Sequence, residues 1–227
     1  MKDLFDKGVI SLNIILIGPP GAGKGTQASL IANKYNLPFV SSGDLFREHR
    51  KLGTKLGLLA EKYMNQGELV PDHVTIDMVM NWLDQNKGGS SGFLLDGFPR
   101  TVQQATSLEK ALGNANPVGP AVYINVDKDE LLRRLTGRRV CMRCQISFHI
   151  HSNPPLIQDQ CDKCSKPLAQ REDDNFDAVE ARLDAYRRNT EPLVAYYDHQ
   201  NVLIEIDGNE TIRQVSKDIV ESLDCFN

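Results

Sequence analysis

Apolar residues fall along this chain in two rhythms. Short apolar runs at 12–17, 38–40, 93–95, 121–126 and 202–206 have the length and composition of strands. Between them, segments 23–35, 74–84, 102–112, 128–135 and 176–197 carry apolar residues at helical spacing. The last of these follows Asp173-Asp174, acidic residues suited to the positive end of a helix, and Pro192 is expected to kink or interrupt it. Strand alternating with helix predicts parallel strands covered on both faces. The expected fold class is therefore α/β, with a doubly wound parallel five-stranded sheet.

Two regions break the rhythm. Residues 41–70 are helical in character, and 137–174 are polar, contain Pro154-Pro155 and hold four of the five cysteines. Both read as small inserts on a core made of 1–40, 71–136 and 175–227. No internal repeat or low-complexity tract interrupts this plan.

Composition narrows the partners. The 227 residues are 41% hydrophobic, enough for one sizeable core, and the net charge of −4 argues against a general affinity for nucleic acid. No stretch approaches the roughly 20 apolar residues of a membrane span. The first eleven residues mix Lys2, Asp3, Asp6 and Lys7 with scattered apolar side chains. They match neither a secretory signal nor an Arg-rich presequence, and Lys2 stands where myristoylation needs glycine. They read as a short extension packed on or beside the core. The expected location is cytoplasmic, with mitochondria as the alternative because some matrix proteins lack a presequence.

The strongest chemical signal is Gly18-Pro19-Pro20-Gly21-Ala22-Gly23-Lys24-Gly25-Thr26, directly after the first strand and before a helix. Glycines let such a loop curl with its amides inward, the helix adds its positive end, and Lys24 reaches the outer phosphates of a nucleotide. Gly25 stands where the general pattern has the Ser or Thr that holds Mg²⁺, and Thr26 comes one residue later.

Arg47 and Arg100 offer planar forks suited to a phosphate dianion, and a salt-bridge role is the plain alternative. Gln104 and Ser42 carry groups able to hydrogen-bond a purine edge. Asp96 ends the third strand, where it could hold Mg²⁺ through water or cap a helix. Cys141-x2-Cys144 and Cys161-x2-Cys164, with sixteen residues between the pairs, read as a metal site rather than a disulfide framework. Four thiolates suit tetrahedral Zn²⁺ in a structural role, and iron fits the same ligands.

The Gly-Lys-Gly-Thr ending, Ser41-Ser42-Gly43-Asp44-Leu45-Phe46-Arg47 and Gly97-Phe98-Pro99-Arg100-Thr101-Val102-Gln103-Gln104 together resemble the adenylate kinase family, in its long-lid, zinc-binding form. The resemblance runs from Asn13 to about Gly208. It implies a monomer that transfers a phosphoryl group reversibly from MgATP to AMP, giving ADP, in adenine-nucleotide homeostasis. It assigns ATP to Gly21, Ala22, Gly23, Lys24, Gly25, Thr26 and Arg138, to Arg134 with Phe148 and His149 near the donor base, and to the backbone around Asp207–Glu210. It assigns AMP to Ser42, Arg47, Glu68, Val70, Gly97, Arg100, Gln104, Arg171 and Arg182. Residues 41–70 become the AMP-binding insert and 137–174 a zinc-bearing lid. Arg138, Arg171 and Arg182 become the clamp on the transferring group, while Arg139 reads as structural. His149 and His151 read as base-contact or surface residues rather than metal ligands.

Overall fold

A computed structural model describes residues 12–86, 92–114 and 117–226. The expectation that 1–11 packs beside the core lies outside the described residues. Strand β1 (Leu12–Ile17) is apolar apart from Asn13 because both of its faces are covered. Ile14 and Leu16 join one apolar layer, Ile15 and Ile17 the other.

The chain continues through α1 (Lys24–Tyr35), β2 (Phe39–Ser41), α2 (Ser42–Lys51), α3 (Lys55–Asn65), α4 (Asp72–Asn86), β3 (Gly92–Asp96), α5 (Val102–Leu112), β4 (Ala121–Asn125) and α6 (Lys128–Thr136). A small excursion holds β5 (Arg138–Cys141), β6 (Ser147–His149) and β7 (Leu168–Ala169). The chain then closes with α7 (Phe176–Asn189), α8 (Pro192–Asp198), β8 (Leu203–Asp207) and α9 (Ile212–Asp224).

The main sheet is five-stranded and parallel in the order β2-β3-β1-β4-β8. Helices α1, α6, α7 and α9 cover one face through residues such as Ile31, Leu135, Val179 and Ile219. The other face is covered from α2 to α5 and by α8, with Phe46, Val79, Leu108 and Tyr197. This is the doubly wound α/β sheet expected from the sequence. Register places Asp96 beside Leu16 and Ser41, so the ends of β1, β2 and β3 open on one edge. Because β1 has β3 on one side and β4 on the other, the loop after β1 sits at the switch point where such sheets bind ligands.

Pro192 interrupts segment 176–197 as expected, opening α8 as a second helix. Other local details differ from expectation. Asn175, not the aspartate pair, caps α7 by accepting from the Ala178 amide at 2.9 Å. Asp173 and Asp174 lie in a 3₁₀ turn, Glu172–Asp174. Residues 41–70 form two helices, and the excursion after α6 is an antiparallel sheet in the order β6-β5-β7. Among the described residues no helix is long and apolar enough to cross a membrane.

Candidate active site

The loop after β1 begins the site. Gly23 takes φ 92° at the N-cap of α1, a left-handed turn that lets the chain curl and enter the helix at Lys24. The Lys24 ammonium donates back to the Gly18 and Pro19 carbonyls at 2.7 and 2.9 Å, bracing the curl. Burial pulls its pKa down to about 8 even though Asp96 favours its charge. Ala22 is buried beneath the loop, while Gly21 is half-buried and Gly25 and Thr26 are exposed. The Asp96 carboxyl faces Gly25 across the cleft, and burial raises its pKa against the pull of Lys24 and Arg100.

Beside this loop lies a pocket whose walls include Ser42, Arg47, Glu68, Val70, Arg100 and Gln104. Arg182 and Asp173 close it from α7 and the turn before that helix. Ser42 Oγ and Arg100 Nε both donate to the Gly97 carbonyl, at 2.6 and 2.8 Å. Arg47 pairs with Asp44, yet its Nε is buried without a protein partner. A buried, unmatched guanidinium nitrogen beside a second arginine fits an anionic ligand, because leaving it unmatched costs free energy.

The third wall carries the other arginines. Arg138 reaches both carboxylate oxygens of fully buried Asp174, through Nε at 2.7 Å and through its terminal nitrogen. Arg182 donates to the Asp173 carbonyl at 2.8 Å and to Asp174 at 3.1 Å. Arg171 is lowered to about 10 by burial and by the nearby charges of Arg47 and Arg138. Burial and neighbouring cations also lower Arg100 and Arg182, although Asp96 and Asp173 respectively oppose this. Six cations (Lys24, Arg47, Arg100, Arg138, Arg171 and Arg182) thus converge in a protein whose net charge is −4. Such a local positive well stabilises a polyanion.

On the side of the loop reached by α6, Arg134 donates to Glu130 at 2.6 Å and to the Gly208 carbonyl at 2.8 Å. It ties α6 to the turn after β8, where Glu210 is exposed. Of the expected aromatic contacts, Phe148 is buried and packs with Cys141 and Cys161. His149 is buried too, which excludes the surface position that was one of its two expected roles. Its Nδ1 accepts from the His151 and Ser152 amides, which leaves Nε2 to donate to the Arg133 carbonyl at 3.2 Å. Arg139 braces the Thr136 and Arg138 carbonyls.

The four cysteines form two matching turns. Cys141 O accepts from the Gln145 amide at 2.8 Å, and Cys161 O from the Ser165 amide at 2.7 Å; Gln145 and Ser165 both take positive φ. All four Sγ atoms lie within 4.8 Å of one another, with 3.5 Å between Cys141 and Cys164. A tetrahedral metal with thiolate bonds of about 2.3 Å requires sulfurs about 3.8 Å apart. The cluster is compatible with such an ion. The Cys144 amide donates to Cys141 Sγ and favours the thiolate there, whereas the neighbouring sulfurs push the Cys144 thiol up.

Two further residues organise the site. Asp174 holds two of the arginines, and Asp72 holds Gln104. Their signal in sequence was weak: Asp174 reads as a helix-start acid, and Asp72 stands next to Pro71 at the start of a helix with nothing to link it to residue 104.

Comparison with known proteins agrees with this geometry. The family model for adenylate kinase matches residues 16–202. An adenylate kinase of Clostridium acetobutylicum is 48% identical over 209 residues, covering 92% of this chain and 97% of that protein. One from Methanocella arvoryzae is 47% identical, covering 92% and 96%, and one from Alkaliphilus oremlandii 48%, covering 93% and 98%. With near-complete coverage of relatives at this identity, around a phosphate loop and an arginine-lined acceptor pocket, the chain belongs to the adenylate kinase family.

Proposed function

We propose that this protein catalyses the reversible reaction MgATP + AMP ⇌ MgADP + ADP. The observation that carries the reading is the meeting of the Lys24 loop and the Arg47–Arg100 pocket under the arginines of the third wall. Lys24 and the loop amides hold the donor phosphates; Arg47 and Arg100 hold the AMP phosphate; Arg138, Arg171 and Arg182 stabilise charge on the phosphoryl group in flight. An AMP phosphate oxygen attacks the γ-phosphorus of ATP, and the bond to the β-phosphate oxygen breaks. The second phosphate pKa is roughly 6, so the nucleophile is already deprotonated at neutral pH and no general base is needed. Ser42, Gln104, Glu68, Val70 and Gly97 border the AMP, and Arg134 and the turn before Glu210 border the donor base.

Two metals fit the side chains present. Asp96, a buried carboxylate facing the loop, suits Mg²⁺ held through water, which would neutralise charge on the transferring phosphates. Cys141, Cys144, Cys161 and Cys164 suit Zn²⁺ as a structural ion, because four protein ligands leave no open position. Residues 41–70 and 137–174 serve as the two inserts that close over the substrates and exclude water, on a core of 1–40, 71–136 and 175–227. A lid beginning at 137 is supported by Gly137, which follows α6 and precedes the separate sheet of β5, β6 and β7.

The test is AMP-dependent ADP formation. With ATP fixed, AMP is expected to be used far better than GMP, CMP or UMP. Equal use of CMP or UMP would move the assignment to a pyrimidine monophosphate kinase.

A further inference from the structure

Gln104 is 1% exposed, and both ends of its amide are committed to protein. Its Oε1 accepts from the Arg100 backbone N–H at 2.7 Å, and its Nε2 donates to Asp72 Oδ1 at 2.7 Å. A backbone N–H can only donate, and an ionised carboxylate can only accept. Between them the amide has one permitted orientation, fixed by chemistry. Rotating it by half a turn would set NH₂ against N–H and oxygen against carboxylate.

Asp72 is itself held in place. It is the first residue of α4, and its Oδ2 accepts from Thr101 Oγ1 at 2.8 Å. Thr101 Oγ1 in turn caps α5, accepting from the Gln104 amide at 3.1 Å. The Arg100 carbonyl is fixed from the far side by Thr190 Oγ1 at 2.9 Å. Two helix starts and the α7–α8 junction therefore converge on one side-chain amide in the acceptor pocket.

After these two bonds, Gln104 keeps one N–H and one lone pair. Adenine offers a donor at its 6-amino group beside a ring acceptor, whereas a 6-oxopurine places an acceptor at position 6. A freely turning amide could satisfy either pattern by flipping. A fixed amide matches one order of donor and acceptor and leaves the other with opposed like groups, which is how a polar site rejects a near-isostere.

We propose that Asp72 is a specificity-determining positioning residue, which locks Gln104 in the orientation that accepts 6-aminopurine and rejects 6-oxopurine monophosphates. The inference rests on the AMP-acceptor reading above. Asp72 itself touches no substrate; it acts through Gln104.

The experiment compares kcat and KM for AMP and for IMP, with MgATP as donor, in wild type and in Asp72→Ala and Asp72→Asn. In Asp72→Ala the ratio of kcat/KM for AMP over IMP is expected to narrow by about tenfold, through a higher KM for AMP and a lower one for IMP. Its kcat at saturating AMP should change much less. Asp72→Asn should recover most of the selectivity, since its amide oxygen can still accept from Gln104 while its NH₂ meets the Thr101 hydroxyl. If the alanine variant does not fold at the assay temperature, Asp72→Ser keeps a polar residue at the helix start but is too short to reach Gln104, and the same narrowing is expected. An unchanged AMP-to-IMP ratio in a folded Ala or Ser variant overturns the lock. A wild type that forms no ADP from AMP instead overturns the acceptor reading, so the two failures are distinguishable.

Discussion

Lys24 titrates within reach of ordinary assays. Burial brings it to about 8, so the ligand-free protein holds this proton at pH 7 and loses half of it near pH 8. In the proposed mechanism donor binding depends on that charge. On the alkaline side, kcat/KM for MgATP should therefore fall with an apparent pKa near 8, while the limb in kcat should lie higher because bound phosphates favour the ammonium. Lys24→Arg, charged at all these pH values, should be slower but should lose the alkaline limb. A wild-type profile flat to pH 9.5 would contradict this assignment. The sign for stability is the opposite of a salt-bridged lysine. From about pH 8 to 10.5 the unfolded chain binds the proton and the folded one does not, so the destabilising contribution of Lys24 is relieved as pH rises through that window. At this scale the sequence was legible wherever chemistry is written in a contiguous motif, as in the phosphate loop or around Arg100. It was illegible where a role depends on which way a side chain turns: Phe148 faces the cysteines, and Asp72 acquires its meaning only through Gln104.

Among the elements, the strands of the main sheet stand within a residue of the apolar runs that announce them. A parallel strand buried on both faces must be mostly apolar, and β1 and β3 are, apart from Asn13 and the terminal Asp96. The excursion obeys another rule. Strands β5, β6 and β7 have four, three and two residues, and their small core is Phe148 with the cysteines rather than an apolar face. Hydropathy carries no sign of such a sheet, whereas the spacing of Cys141, Cys144, Cys161 and Cys164 does. Helix α9 drew no expectation, although Val215, Ile219 and Leu223 recur every four residues and all are buried. The excursion's dependence on its sulfurs leads to a prediction. Wild type should carry close to one zinc per chain, and Cys161→Ser should lose it, since Cys161 is a buried member of the cluster. Its melting temperature should drop, because structural zinc in small peptides is worth roughly 10–16 kcal/mol of apparent binding, part of which stabilises this fold. Below that temperature much of the activity should remain and Mg²⁺ should still be required. Metal analysis, thermal melts and assays on the same samples decide it: activity that vanishes in step with zinc at unchanged stability would make the metal catalytic.

At the scale of the molecule, the acceptor insert packs on the core sheet through Phe46, Ala60 and Val70, and charged pairs tie it to α7 and the turn before that helix. Arg50 of α2 reaches Glu172 in the turn before α7 at 3.3 Å, and Glu68 reaches Arg188 at 3.5 Å. Between them Gly67 lies against α7 so closely that an added Cβ would come within 3.0 Å of Ala181 Cβ and 3.1 Å of Arg182 Cγ. In the proposed mechanism this close approach carries the acceptor insert onto Arg182 of the phosphoryl clamp, and would link AMP binding to the position of that arginine. Gly67→Ala tests the link, but it confounds two effects, since Gly67 also has φ 72°. Gly53 separates them. It has φ 64° and nothing within 4 Å of an added Cβ, so alanine there meets backbone strain alone. Each substitution should cost about 1–2 kcal/mol from the left-handed backbone, a loss of roughly 2–8 °C in melting temperature for a chain of this size. Only Gly67→Ala should also displace Arg182, raising KM for AMP and lowering kcat several-fold, while Gly53→Ala keeps wild-type kinetics. Melts and steady-state assays on the pair give the answer. Equal kinetics in the two variants would mean that the contact between the acceptor insert and α7 supports the fold without setting the clamp, and that Arg182 is positioned by Asp173 and Asp174 alone.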